Sequence, residues 1–321
     1  MTDVKLPKIS VVVTCYNCRD YIADAIRSVA RQTLRDFECV VVDDASTDDS
    51  AAVIQRALDE LADPRFALVR LPKNVGQTGA TRAGLARTAA PFVCFLDSDD
   101  LWSPQKLARQ VEILRARPEC RWCYTAISHI DGSGEPLAEP VFGPWLPCDG
   151  AVFERLVSGP VVIRTPSVLA ARELVARAGG FDETIRSGED YDLWLRLALA
   201  SEVALLDEPL VQVRRHEANH TGDWEIAFAG RDRTLRKLQD VVDSNRRVLL
   251  RAERTANALT LAARHASLGN RARMLRVLYR ALPYSWSSRR WWFALVKTPL
   301  RPYLPQRLVE AYRNRRRAAA L

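Results

Sequence analysis

Four times within its first 116 residues the chain repeats one pattern: an apolar run, a polar break, then apolar positions at helical spacing. ISVVVT (9–14) stops at Cys15, Tyr16 and Asn17 before YIADAIRSVARQTL, and FECVVV (37–42) stops at Asp43 and Asp44 before a stretch running to about Leu61. FALVRL (66–71) leads into the glycine-bearing NVGQTGATRAGLART. PFVCFLDSDDLW (91–102) holds an apolar run from Phe92 to Leu96 that ends at Asp97, Ser98, Asp99 and Asp100, ahead of QKLARQVEILRA. Such alternation restricts the chain to an α/β domain with a largely parallel sheet and right-handed crossovers. Ligands of these sheets bind beyond the carboxyl ends of the strands. Thr14, Tyr16 and Asn17, then Asp43 and Asp44, then Asp97 and Asp99 all open on that one edge.

Three carboxylates within the four residues 97–100 repel one another. Either they form a solvated acidic turn before a helix cap, or a cation relieves them, and hard oxygen ligands select Mg²⁺ or Mn²⁺ over zinc. With an aromatic ring, amide and hydroxyl groups on the same edge, the cleft suits a nucleotide diphosphate held through that metal. NVGQTGATRAG lacks the Gly-Lys-Ser/Thr of a Walker loop and is not a GxGxxG motif. Arg82, on the helix that follows, either reaches a phosphate or is a surface arginine. Ser46 or Thr47 is expected to cap the second helix, and Ser103 with Pro104 the fourth.

Beyond residue 121 the order changes. RWCYTAISHI reads as a strand, 132–150 as a long loop, VVIRTPSVLA as a strand and ARELVARAGGF as a short helix closed by glycines. SGEDYDLWLRLALAS begins a helix with Glu189 and Asp190 in its first turn, where carboxylates suit the helix dipole and where one facing the cleft can act as a general base. EVALLDEPLVQVRRH is one strand interrupted at Pro209 or two short ones. It ends at Arg214, Arg215 and His216, either a diphosphate contact or a solvated strand end.

Charge divides the chain. Residues 225–321 carry 22 Lys and Arg against 6 Asp and Glu, whereas residues 1–224 carry 25 against 33, within a total of +8. Two regions are expected, 1–224 and a basic, mostly helical 225–321 whose partner is a polyanionic surface. The final stretch, SSRRWWFALVKTPLRPYLPQRLVEAYRNRRRAAAL, mixes paired tryptophans with arginines in the manner of a membrane-interface segment; a helical cap on the rest of the chain is the other reading. No run approaches 18 uncharged apolar residues and MTDVKLPK lacks the apolar core of a secretory signal, so a cytoplasmic protein, peripheral at the membrane face, is expected. Seven cysteines fit reduced thiols; Cys15-x-x-Cys18 and Cys120-x-x-Cys123 lie 102 positions apart, too far for a zinc ribbon.

TCYNCRDYIADAIRSVARQT, VVVDDASTDDS, FLDSDD and GGFDETIRSGEDYDLWLRLA stand in this order over roughly residues 8–216. The array resembles glycosyltransferase family 2, inverting enzymes with a GT-A fold, here a mostly parallel mixed sheet flanked by helices with a C-terminal helical extension outside the match. The resemblance implies a nucleotide-diphosphate-sugar donor and a glycan or lipid-linked acceptor. Thr14, Tyr16 and Asp44, with Asp43 alongside, would hold the base, and Asn17 and Ser98 would complete the donor site. Asp97 would contact the ribose or sugar, Asp99 the divalent ion, Asp190 would take the acceptor proton and Glu189 would support it. Arg82, Arg214, Arg215 and His216 are the groups for the departing diphosphate. Ala45 and Ala83 stand where the family more often has Gly and Asn. The processive signature QxxRW is missing, which favours single additions. The competing reading is a membrane- or nucleic-acid-binding adaptor with a vestigial sugar-nucleotide domain, and the intact acidic motifs weigh against it.

Overall fold

A computed structural model describes residues 9–138, 146–158, 162–216, 224–286 and 288, and the chain divides into two compact units, 1–222 and 223–321. In the first unit the alternation becomes β1 (Ile9–Cys15), α1 (Ile22–Ala30), β2 (Phe37–Asp43), α2 (Ser50–Leu61), β3 (Phe66–Arg70), α3 (Gly76–Leu85), β4 (Phe92–Asp97), the two-residue β5 (Leu101–Trp102) and α4 (Lys106–Ala116). β6 (Trp122–Asp131), α5 (Phe153–Ser158), a 3₁₀ turn at Thr165–Ser167, β7 (Val168–Ala171), α6 (Arg172–Arg177), α7 (Glu189–Ala200) and β8 (Val203–Arg215) follow. The strands lie in the order β3-β2-β1-β4-β7-β6-β8-β5. The first four are parallel, β7 runs against both neighbours, and β8 is parallel to β6.

Parallel strands covered on both faces need continuous apolar runs rather than alternation. β1 is buried at every position, as are Val93 to Leu96 of β4. Their register sets Thr14 beside Val42 and Asp97, and Cys15 beside Asp43, so the three polar strand ends are level. α3 comes so close to this sheet that a Cβ on Gly84 would lie 2.4 Å from Val12 Cγ1; only glycine fits that crossing.

Several expected boundaries move. Neither Ser46 nor Thr47 caps α2, which starts at Ser50; both are tied instead to the loop after β1. α4 starts at Lys106 without a side-chain cap, and Ser103 Oγ bonds the Gln105 side chain. Among the described residues of VVIRTPSVLA the strand β7 starts only at Val168, because Pro166 lacks the N–H that a ladder needs and the chain turns there. β8 is continuous through Pro209, which lies opposite Ala126 where the register with β6 slips.

α7 is fixed by a tryptophan. Trp194 is buried, stacks on Trp122 of β6 at 6.0 Å and meets Phe181, which in turn packs edge-on to Phe95 of β4 at 5.1 Å. Buried Asp192 pairs with Arg196 within the same helix. The first turn of α7 is therefore held against the end of β4.

The second unit is helical where described: α8 (Trp224–Leu238), α9 (Ser244–Ser267) and α10 (Arg271–Ser285). Asp243 caps α9 by accepting a bond from Arg246 N at 3.0 Å, and Gly269, at φ +74°, makes the turn into α10. Ala258 and Ala262 of α9 pack on Met274, Leu278 and Ala281 of α10. Most of the basic, tryptophan-paired final stretch lies outside the described residues. Among those described, no helix is long and apolar enough to cross a membrane.

Candidate active site

The loops after β1 and β2 are laced together. Asn17 Oδ1 accepts bonds from Thr47 N at 2.8 Å and Asp48 N at 3.4 Å, while Asn17 N donates to Ser46 Oγ at 3.0 Å. Both Asn17 and Ala45 sit in the left-handed region, at φ 50° and 57°. Asparagine tolerates it; alanine is strained there. Asp44 accepts from Val75 N and Gly76 N, each at 2.8 Å, and so staples the end of β2 to the start of α3. Burial raises its pKa and those two N–H groups counter the rise. Asp43 is buried and accepts from Ser46 N at 3.3 Å. Tyr16, just past β1, is exposed, whereas Thr14 is buried.

At the end of β4, carboxylates from two distant segments converge. Asp97 is pushed up to about 7, first by burial and then by Asp99, Asp190 and Glu189, with Arg164 pulling the other way. Glu189 is likewise pushed up to about 7 by burial and by Asp190. Asp190 is raised by burial, against Tyr191 N donating to Oδ1 at 2.7 Å, Thr165 Oγ1 donating to Oδ2 at 3.2 Å, and the charge of Arg164. Gln77, on α3, donates to Asp97 Oδ1 at 2.9 Å. Crowded acids of this kind favour retaining a proton or gaining a cation.

Asp99 Oδ2 lies 3.1 Å from His216 Nε2, and the His216 ring packs on Tyr21 with centroids 4.6 Å apart. Asp100 points the other way: it is buried, accepts from Arg214 N at 2.9 Å and ties β4 to β8. Arg214 is buried too, its guanidinium donating to the carbonyls of Asp99, Asp131 and Gly132 and lying over the Tyr21 ring. It thus shapes the loop that presents Asp99. Arg215 meets His129 at 3.3 Å, Arg82 is ion-paired to Glu183, and Ser98 bonds the Cys18 thiol.

Among the described residues no three His, Cys, Asp or Glu side chains close on one point as a ready-made metal cage. Mg²⁺ and Mn²⁺ do not need one, since one or two carboxylates suffice when substrate phosphates and water complete the shell. Asp99 and His216, with Asp97 two residues away, form a donor set that fits such an ion. Sequence reasoning missed Gln77, Tyr21, Arg164 and Thr165. The one local signal for the last two is Thr165-Pro166, a dipeptide that stops an extended strand.

A mixed sheet with parallel strand ends meeting a helix N-terminus over an acidic cleft is the architecture of nucleotide-diphospho-sugar transferases. Solved structures share it. The chain superimposes on S. aureus TarS 1-349 in complex with UDP-GlcNAc with a TM-score of 0.67 at 19% identity, over 86% of this chain and 81% of that one. It also matches the mannosyltransferase PcManGT from Pyrobaculum calidifontis in complex with GDP-Man and Mn2+, at TM-score 0.54 and 20% identity, over 92% and 88%. At those identities the likeness speaks for the GT-A fold. The family model "Glycosyl transferase family 2" matches residues 10–137. A teichuronic acid biosynthesis glycosyltransferase by name, TuaG of Bacillus subtilis, is 32% identical over 197 residues, 61% of this chain and 74% of that protein. The chain belongs to glycosyl transferase family 2. It spans about a third of the length of further relatives, uncharacterized glycosyltransferases of Rickettsia and Nostoc.

Proposed function

We propose that the protein is an inverting glycosyltransferase that moves a sugar from a nucleotide-diphosphate donor to a hydroxyl of a lipid-linked or cell-envelope glycan at the cytoplasmic face of the membrane. The reading rests on one observation, the meeting of Asp97 with Asp99, Glu189 and Asp190. Catalysis is assigned to residues 1–224. Thr14, Tyr16, Asn17, Asp43 and Asp44 line the side where the nucleotide base enters. Asp97 and Gln77 take the ribose or sugar hydroxyls. Asp99, with His216, would hold Mn²⁺ or Mg²⁺, which when bound offsets the charge of the diphosphate. Asp190 accepts the proton of the attacking hydroxyl, Thr165 and Arg164 favour its ionised form against burial, and Glu189 supports it. One displacement from the face opposite the nucleotide inverts the anomeric centre and needs no covalent enzyme intermediate. Arg82 and Arg215 are available to the leaving diphosphate after exchanging their present partners. TuaG's name supports an envelope acceptor, and the UDP-GlcNAc and GDP-Man of the structural neighbours support the donor class.

The test is turnover of a panel of UDP- and GDP-sugars with Mn²⁺ or Mg²⁺. Asp190→Asn should lower transfer by about 10²–10⁴-fold, Asp99→Ala should abolish metal-dependent donor turnover, and the product should carry the opposite anomeric configuration by NMR. Unchanged turnover in both variants refutes the assignment, and so does retained configuration.

A further inference from the structure

α10 has two apolar faces. One, with Met274, Leu278 and Ala281, is buried against α9. The other carries Leu275, Tyr279 and Trp286, whose exposures are 45%, 75% and 67%. Their spacing of four and seven residues places them within about one quarter of the helix circumference, and Trp286 retains helical dihedrals beyond the last turn. Arg276 and Arg280 stand exposed along one side of this stripe, and among the described residues neither is drawn into an ion pair. Glu253 and Glu310 bracket 56 residues that contain no acidic side chain and 11 Lys and Arg.

An outward stripe of one aliphatic and two amphipathic aromatic side chains, edged by arginines, satisfies both layers of a bilayer surface. Leucine and the ring bodies enter the acyl boundary, the phenol and indole N–H remain at headgroup depth, and the guanidinium groups meet phosphates. A nucleic acid would use the arginines and leave Leu275 in contact with nothing apolar.

We infer that the outward face of α10 is a docking surface for an anionic phospholipid bilayer. The surface uses none of the residues assigned to catalysis, and it stands whether or not the transfer chemistry proposed above is correct.

Flotation of the full chain with phosphatidylcholine vesicles, with and without phosphatidylglycerol, tests it. The protein should float only with the anionic vesicles and should be released by high salt. Leu275→Ser with Tyr279→Ser should weaken binding at least about tenfold, and Arg276→Glu with Arg280→Glu by at least about fivefold per residue. Brominated lipid should quench tryptophan emission in the parent, and less in Trp286→Phe. All of these positions are exposed, so circular dichroism should match the parent. If the apolar pair misfolds, the arginine pair and the Trp286→Phe quenching decide. Absence of flotation overturns the inference, as does parent-like flotation of both double variants, or flotation indifferent to lipid charge. Binding of duplex DNA in place of vesicles also overturns it.

Discussion

Thr165 Oγ1 donates a 3.2 Å hydrogen bond to Asp190 Oδ2 from a 3₁₀ turn that precedes β7, so the group assigned as base is oriented from outside its own helix. The bond favours the ionised carboxylate, as do Tyr191 N–H and Arg164, against burial, which raises its pKa. Thr165→Val removes one of these supports, so the carboxylate holds its proton to higher pH and the acid limb of kcat/KM moves up. On that limb kcat/KM should fall by about tenfold, the worth of one hydrogen bond to a charged acceptor, with little loss on the alkaline side. Thr165→Ser should restore the profile. A uniform loss at all pH values, unrepaired by serine, would reduce Thr165 to a packing role.

Ala45 sits at φ 57° immediately after the paired aspartates. A Cβ in that region costs about 1–2 kcal/mol, and glycine gives back part of the relief through the greater freedom of its unfolded chain. Ala45→Gly should therefore stabilise the protein by about 0.5–1 kcal/mol. Denaturant midpoints at unchanged slope measure it. An unchanged or lowered midpoint would mean that the bonds of Asn17 with Thr47 and Asp48, rather than the backbone at Ala45, set the strain of this loop.

The two positions show what the sequence discloses and what it withholds. Strand ends are legible because an apolar run must stop where the sheet meets water, which is why Thr14, Asp43 and Asp97 align from the sequence alone. Glu189 and Asp190 stood out as acids at a helix start, but their approach to Asp97 depends on Trp194 stacking on Trp122 across the fold. Arg164 and Thr165 carry no local pattern beyond the strand-stopping Thr165-Pro166, since their role exists only once β7 lies between β4 and β6. Helix starts were misplaced for a related reason: Ser46 and Thr47 had partners in another loop, and tertiary bonds outcompeted local capping.

His216 joins Asp99 at 3.1 Å from the far end of β8. An imidazole nitrogen is a better match for Mn²⁺ than for Mg²⁺. His216→Ala should raise the Mn²⁺ needed for half-maximal donor turnover by at least about tenfold and change the Mg²⁺ requirement less. Metal titrations of donor hydrolysis read both. Equal shifts for the two ions would assign the histidine to orienting Asp99 rather than to the metal.

Lys106 is fully buried, with Nζ 2.9 Å from Gln110 Oε1 and 3.7 Å from the centroid of the Trp102 ring. Burial lowers its pKa from 10.5 to about 8, against a smaller opposing pull from Cys94 and Cys123. Below about pH 8 the folded protein bears the cost of an ammonium withdrawn from water. Between about 8 and 10.5 the folded state releases a proton that the unfolded chain still holds, so stability rises with pH. Lys106→Met preserves volume and removes the titration. The stability difference between parent and variant should shift in the parent's favour by on the order of 3 kcal/mol across that window. Buried thiols at Cys94 and Cys123, both raised to about 12, are present in each protein and cancel in the difference. Denaturant unfolding from pH 7 to 10.5 supplies the measurement; a difference that stays level would show that the ammonium keeps its proton in the core, held by Gln110 and the indole.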